Sequence, residues 1–216
     1  MRLKTNNVVI AFAGGTGGHF VLQVCSHILY NTDILIEPDG SCHNKAHVSD
    51  CVFVADMYPI DTSSFSLSAE DEYISSLDDH AFVIGHMRNI KALSTKAKVV
   101  YIDHKTTSPS QIYKILVKKT NGISYDAYQL LKGTDWPEYS SNLPDWVLTD
   151  IDEIILEHYD NWNWILPDQT DNVFCIPHNE LLSGAWAESL CEFLEIDYAS
   201  KAEYITQKTS AYRTHQ

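Results

Sequence analysis

The residues in this sequence best suited to chemistry are a run of glycines that follows its first apolar segment. Residues 8–13 are six apolar residues in succession, which is typical of a strand buried on both faces. Four glycines fall within the next five residues, and residues 20–28 then show helical apolar spacing. Because glycine lets backbone N–H groups converge on an anion, and a helix N-terminus adds partial positive charge, this order predicts a phosphate-binding loop. The predicted binding residues are Gly14, Gly15, Thr16, Gly17, Gly18, His19 and Phe20.

The glycine run departs from the two common nucleotide-binding loops. A Walker A loop reads GxxxxGK followed by Ser or Thr, whereas here Ala13 replaces the first glycine, and His19 and Phe20 follow Gly18. The missing lysine and hydroxyl argue against magnesium-dependent ATP or GTP hydrolysis, and the run is not GxGxxG either. The alternative is that the glycines only make a tight turn. If the run binds an anion, replacing Gly17 or Gly18 with a bulky residue should abolish binding and leave the fold largely intact.

A second group of polar residues follows two later apolar runs. Residues 81–85 read as a buried strand that ends at His86, and residues 98–102 as another that ends at Asp103. Open parallel sheets bind their ligands at the carboxyl ends of such strands, where a neutral histidine can act as a base. The alternative for His86 is a strand-end histidine satisfied by a backbone carbonyl.

Strands and helices alternate along the rest of the chain, which predicts an α/β fold. The apolar strands favour a mostly parallel sheet covered on both faces, a three-layer α/β/α arrangement in one domain over residues 1–216. Further strands are predicted at 52–55 and 173–176. Helices are predicted at 69–79, 90–93, from Ser108 onward, 125–131, 143–159, 185–194 and 199–212.

Composition narrows the range of partners. The net charge is −14, from 29 acidic and 15 basic residues, which argues against a nucleic-acid or anionic-membrane binder. No apolar run approaches a membrane span and no signal peptide is expected. The five cysteines are scattered without a CxxC pair, which is typical of a reduced, cytoplasmic protein. If residues 43–51 were helical, His43, His47 and Cys51 could share one face and bind zinc. The segment also fits a strand or a loop, and we predict no metal site.

Three blocks, taken in order, resemble the sulfotransferases that use 3′-phosphoadenosine-5′-phosphosulfate (PAPS). Residues 15–20, GTGGHF, are similar to that family's 5′-phosphosulfate loop, and residues 173–196 to its closing strand and helices. Residues 81–117 resemble its middle portion, in which a strand ends in a histidine of a KTH motif and a KVVYVxR strand leads to a serine at the head of a helix. The resemblance implies a P-loop NTPase-like fold and transfer of a sulfuryl group from PAPS to a hydroxyl or amine.

The resemblance also assigns roles to individual residues. His86 falls on the family's catalytic base, and Ser108 or Ser110 near the serine that binds the cofactor's 3′-phosphate. Two positive charges of the family pattern are missing, because Gly15 replaces the lysine of the loop and Asp103 the arginine after the third strand. Lys105 or His104 could take over at the 3′-phosphate, and His19 or Arg88 at the sulfuryl group.

Two other functions fit parts of the sequence. Residues 12–19, FAGGTGGH, also resemble the N-terminal glycine loop of MurG-type glycosyltransferases, which implies a nucleotide-sugar-binding subunit. Those enzymes need a second nucleotide-binding domain, and this chain is too short to hold both. The lost lysine and arginine favour a third alternative, a module that binds a nucleotide or protein partner without turnover.

Overall fold

The computed structural model describes residues 7–12, 17–33, 46–48, 52–55, 67–76, 81–85, 90–103 and 171–214. The chain divides into two compact units, residues 1–105 with 164–216, and residues 106–163. All described residues belong to the first unit, so the single domain over residues 1–216 stays a prediction.

The described strands form one six-stranded sheet. They are β1 (Val8–Ala11), β2 (Ala46–Val48), β3 (Val52–Ala55), β4 (Ala81–Ile84), β5 (Lys98–Asp103) and β6 (Val173–Pro177). The order across the sheet is β2-β3-β4-β1-β5-β6, and every neighbouring pair is parallel except β2 with β3. The predicted α/β class and its mostly parallel sheet are confirmed, and five of the strands lie where apolar runs predicted them.

Five helices accompany these strands in the described ranges. They are α1 (Gly18–Tyr30), α2 (Leu67–Ser76), α3 (Ile90–Leu93), α4 (Ala187–Phe193) and α5 (Ala202–Thr214). Two short 3₁₀ segments, His178–Glu180 and Tyr198–Ser200, flank α4. No helix of the described part is long and apolar enough to cross a membrane. The helices predicted from Ser108 onward and at 125–131 and 143–159 lie outside the described residues.

The central strand β1 packs helices on both of its faces because its side chains alternate. Val8, Ile10 and Phe12 belong to one buried cluster, which includes residues of α1, α4 and α5. Val9 and Ala11 belong to a second cluster, which includes residues of α2 and α3. A strand with both faces buried reads as a continuous apolar run, which is why its sequence shows no polar alternation.

The chain leaves β1 and β5 in opposite directions. After β1 the next strand is β2, at the sheet edge beyond β4 and β3, whereas after β5 the next strand is β6, on the other side. The steps from β3 to β4 and from β4 to β5 also run opposite to the step after β1. Crossovers of one hand that run in opposite directions place their helices on opposite faces, as observed for α1 and for α2 with α3. Ligands of open α/β sheets bind where neighbouring strands diverge in this way, so the carboxyl ends of β1 and β5 mark the expected edge.

Candidate functional site

The backbone turns into α1 at Gly17. This glycine is the N-cap residue of the helix and has φ 81° and ψ 16°, a left-handed conformation that costs other residues energy. Its carbonyl accepts the first hydrogen bond of the helix from the Val21 N–H at 3.3 Å. The N–H groups of the first turn have no acceptor within a helix, and this turn contains no acidic residue to offset the helix dipole. The start of α1 therefore has the properties of an anion-binding helix N-terminus.

Packing also requires the two glycines at this turn. A Cβ atom on Gly18 would overlap the ring of Phe12, which is only 1% exposed. A Cβ atom on Gly17 would overlap Leu181 Cδ2 and the hydroxyl of Tyr212. The expectation that a bulky residue here leaves the fold largely intact stays a prediction, but at Gly18 such a residue would have to displace the buried ring of Phe12.

His19 and Phe20 are held by neighbouring rings. The His19 ring meets the Phe12 ring edge to face, with centroids 5.5 Å apart, and its Nε2 atom is buried. Phe20 is 4% exposed and stacks on Tyr212 at 4.5 Å with an interplanar angle of 4°, while Trp186 meets it edge-on at 5.9 Å. Phe20 can therefore offer a ligand only its backbone amide.

The strands on either side of β1 lead toward the other predicted residues. β4 ends at Ile84, and β5 ends at Asp103, whose Oδ1 accepts a hydrogen bond from the Tyr101 hydroxyl at 3.4 Å. Burial, and then the negative charge of Asp103, raise the pKa of Tyr101 well above its usual range, so Tyr101 stays protonated. The remaining predicted site residues lie outside the described part of the chain: Gly14, Gly15, Thr16, His86, Lys105, Ser108 and Ser110.

Sequence reasoning missed the C-terminal helix as part of this site. The ring of Tyr212 covers Phe20, and Arg213 Nη2 donates a hydrogen bond to the Ser183 carbonyl at 3.0 Å, with Nε donating to the carbonyl of Leu182. These contacts join the last turn of α5 to the segment after β6. The sequence carries no signal for them, because Tyr212 lies 192 residues from Phe20 and belongs to no motif.

The helical arrangement considered for a zinc site is wrong at His47. This histidine lies in β2, where its Cα partner is Val54 of β3, so it cannot share a helical face with its neighbours. His43 and Cys51 fall outside the described residues. Within the described ranges, no group of three His, Cys, Asp or Glu residues is placed to hold a metal ion.

The arrangement at this edge combines a helix whose N-cap glycine provides no side-chain cap with a densely packed support of aromatic rings. Comparison of the chain with protein-family models, with curated proteins and with solved structures found no match. What this site can do therefore follows from its own geometry and chemistry.

Proposed function

We propose that the protein is a sulfotransferase-like enzyme that binds PAPS at the turn into α1 and transfers its sulfuryl group to a hydroxyl or amine. One observation carries the proposal. The glycine turn follows the central strand β1, and the two neighbours of β1 are β4 and β5, the strands that precede His86 and the 105–110 segment in the sequence. Parallel neighbours share one carboxyl edge, so the segments that follow β1, β4 and β5 all start from the same edge of the sheet, which supports a shared site.

The parallel sheet with helices on both faces is also consistent with the finer, P-loop NTPase-like form of the fold. A glycine turn between the first, central strand and a long helix is the feature on which such folds depend for phosphate binding. Gly17, in its left-handed conformation, is the N-cap of α1, and its carbonyl accepts the first hydrogen bond of the helix. The amides of Gly18 and His19 are therefore the first two amides of α1.

The proposed chemistry assigns one task to each group of residues. Bound PAPS would supply an activated sulfuryl group, and the amides at the start of α1 would bind its 5′ anionic end. The acceptor oxygen or nitrogen would form a bond to sulfur as the bond from sulfur to the bridging oxygen breaks. His86 would take the proton that the acceptor loses, and adenosine 3′,5′-bisphosphate (PAP) would be the leaving product.

The 3′-phosphate is the feature that tests the cofactor assignment. Asp103, at the end of β5, carries a negative charge where the resemblance implies an arginine. Recognition of the 3′-phosphate would therefore depend on Lys105, Ser108 or Ser110, and we expect PAPS to bind weakly.

A thermal-shift comparison of PAPS, PAP, AMP, ATP and UDP-sugars tests the ligand, since a ligand that binds the folded state raises the melting temperature. PAP should raise it more than AMP at equal concentration. Equal shifts with PAP and AMP would mean that the protein does not recognise the 3′-phosphate. A shift with UDP-sugars alone would favour the glycosyltransferase-like alternative.

The role of His86 is tested by His86→Ala, with His80→Ala as the control. Loss of a positioned base should lower turnover about a hundredfold or more and leave PAPS affinity little changed, whereas His80→Ala should retain activity. Full activity in His86→Ala would exclude the proposed base.

Gly15 and Asp103 support the non-catalytic alternative, because they stand where the resemblance implies a lysine and an arginine. A protein that binds PAP but sulfates no acceptor from a panel of alcohols, phenols and amines would be a nucleotide-binding module.

A further inference from the structure

We infer that Tyr212, on the last turn of α5, is a positioning residue that holds the start of α1 in the geometry needed to bind an anion. This inference rests on the proposed function for its ligand, but the contacts on which it depends belong to the described residues. It makes the C-terminal helix part of the nucleotide site although it lies far from the glycine run in the sequence.

Tyr212 contacts both sides of the segment that carries the anion-binding amides. Its hydroxyl lies beside Gly17, 2.5 Å from where a Cβ atom would be, and its ring stacks on Phe20 at 4.5 Å. Gly18 and His19 lie between these two points in the sequence. A single side chain therefore restrains the residues immediately before and after the two amides.

The position of Tyr212 is itself fixed from a third element. Arg213, the next residue, donates hydrogen bonds to the carbonyls of Leu182 and Ser183 in the segment after β6. Leu181 of the same segment also lies beside Gly17, and its carbonyl accepts a hydrogen bond from Trp186 Nε1 at 2.9 Å. The turn into α1 therefore contacts both α5 and the segment after β6.

Preorganised donors bind an anion more tightly than donors that must be ordered on binding. If loss of the Tyr212 ring lets the start of α1 populate other conformations, the apparent affinity falls in proportion to the fraction that stays competent. A residue that only fills space would lower the stability of the whole domain without this selective loss.

The opposite end of the same helix pair provides the matched control. There His27 of α1 stacks on Tyr204 of α5, with centroids 3.5 Å apart and an interplanar angle of 5°. Both contacts are stacked aromatic pairs between α1 and α5, but only the Tyr212 pair adjoins the glycines.

The experiment compares Tyr212→Leu with Tyr204→Leu by hydrogen exchange and by PAP titration of the full chain. We expect Tyr212→Leu to speed exchange of the hydrogen-bonded amides that follow the turn, residues 21–24, and to weaken PAP binding roughly tenfold. Tyr204→Leu should lower the melting temperature but leave both readouts near wild type. Tyr212→Phe, which keeps the ring, should restore slow exchange and most of the affinity.

Arg213→Gln is a milder variant in case Tyr212→Leu does not fold. It removes hydrogen bonds that hold the last turn of α5, so exchange at residues 21–24 should again become faster than in Tyr204→Leu. Equal effects of the Tyr212 and Tyr204 variants on exchange at residues 21–24 would overturn the inference. Failure of the wild-type protein to bind PAP would instead refute the proposed function, and the exchange comparison would still decide the role of Tyr212.

Discussion

The two ends of the contact between α1 and α5 differ in the side chains that form them. At the start of α1, Phe20 is almost fully buried between the rings of Tyr212 and Trp186, next to glycines that have no room for a side chain. At the other end, His27 and Tyr204 stack on each other, and both reach the same oxygen, Asp33 Oδ1, at 3.1 and 2.9 Å.

These two ends differ in how much change they tolerate. The His27 side chain is 24% exposed and that of Asp33 is 56% exposed, so water can replace lost hydrogen bonds at that end. At the start of α1, a lost or added atom leaves a cavity or an overlap that the surrounding rings cannot relieve. The end that would bind a ligand is therefore the more rigid of the two, which suits a site that depends on fixed backbone amides.

The largest expected effect is from Phe20→Ala, compared with His27→Ala. Removal of a buried phenylalanine usually costs about 3–5 kcal/mol of unfolding free energy. His27→Ala loses one partly exposed ring contact and one hydrogen bond, for which we expect about 1 kcal/mol. Urea unfolding measures the unfolding free energy of both variants. Equal losses of unfolding free energy would show that the two ends do not differ in rigidity.

Gly18→Ala should have the next largest effect. At an open helical position, alanine is more favourable than glycine by up to about 1 kcal/mol, but here the new methyl group meets the Phe12 ring. We expect a net loss of about 1–3 kcal/mol, typical of an overpacked core.

The source of that loss is tested by combining Gly18→Ala with Phe12→Leu. If the methyl group and the ring compete for one space, the double variant should be more stable than the sum of the two single losses predicts. Additive losses in this double-mutant cycle would place the cause elsewhere.

Tyr204→Phe should have the smallest effect and should depend on pH. At neutral pH the variant loses only the hydrogen bond to the exposed Asp33, at a cost of about 1 kcal/mol or less. Burial, and then the hydrogen bond to Asp33, raise the pKa of Tyr204 well above its usual range. A raised pKa adds stability that is present below the unfolded value, about 10, and is lost as the pH rises above it.

Urea unfolding of the wild type and Tyr204→Phe at pH about 8, 10 and 11 tests this sign. The variant should lose less stability than the wild type between the lowest and highest of these values. It should still lose some, because burial also raises the pKa of Tyr30 and Tyr101. A steeper alkaline loss in Tyr204→Phe would contradict the prediction.

The strands were the part of the fold that the sequence predicted best. Residues 81–84 and 98–103 form strands within one residue of the predicted limits, because each is a short apolar run bounded by polar residues. The strand at Ala46–Val48 was only one of three alternatives for its segment, since three residues with one histidine show no period and pair only at the sheet edge. The helices at the C-terminal end begin or end up to three residues from their predicted limits, because capping and 3₁₀ turns decide where a helix starts.

For the candidate site, the sequence alone determined that an apolar strand, a glycine run and an amphipathic helix follow one another, because propensity and period are local properties. Only the tertiary structure decided why Gly17 and Gly18 must be glycines, since the overlapping atoms belong to Phe12, Leu181 and Tyr212. Leu181 and Tyr212 lie more than 160 residues further along the chain, and they reach the turn because β6 and α5 pack beside it. Contacts of that range are set by the packing of whole elements, and no local pattern encodes them.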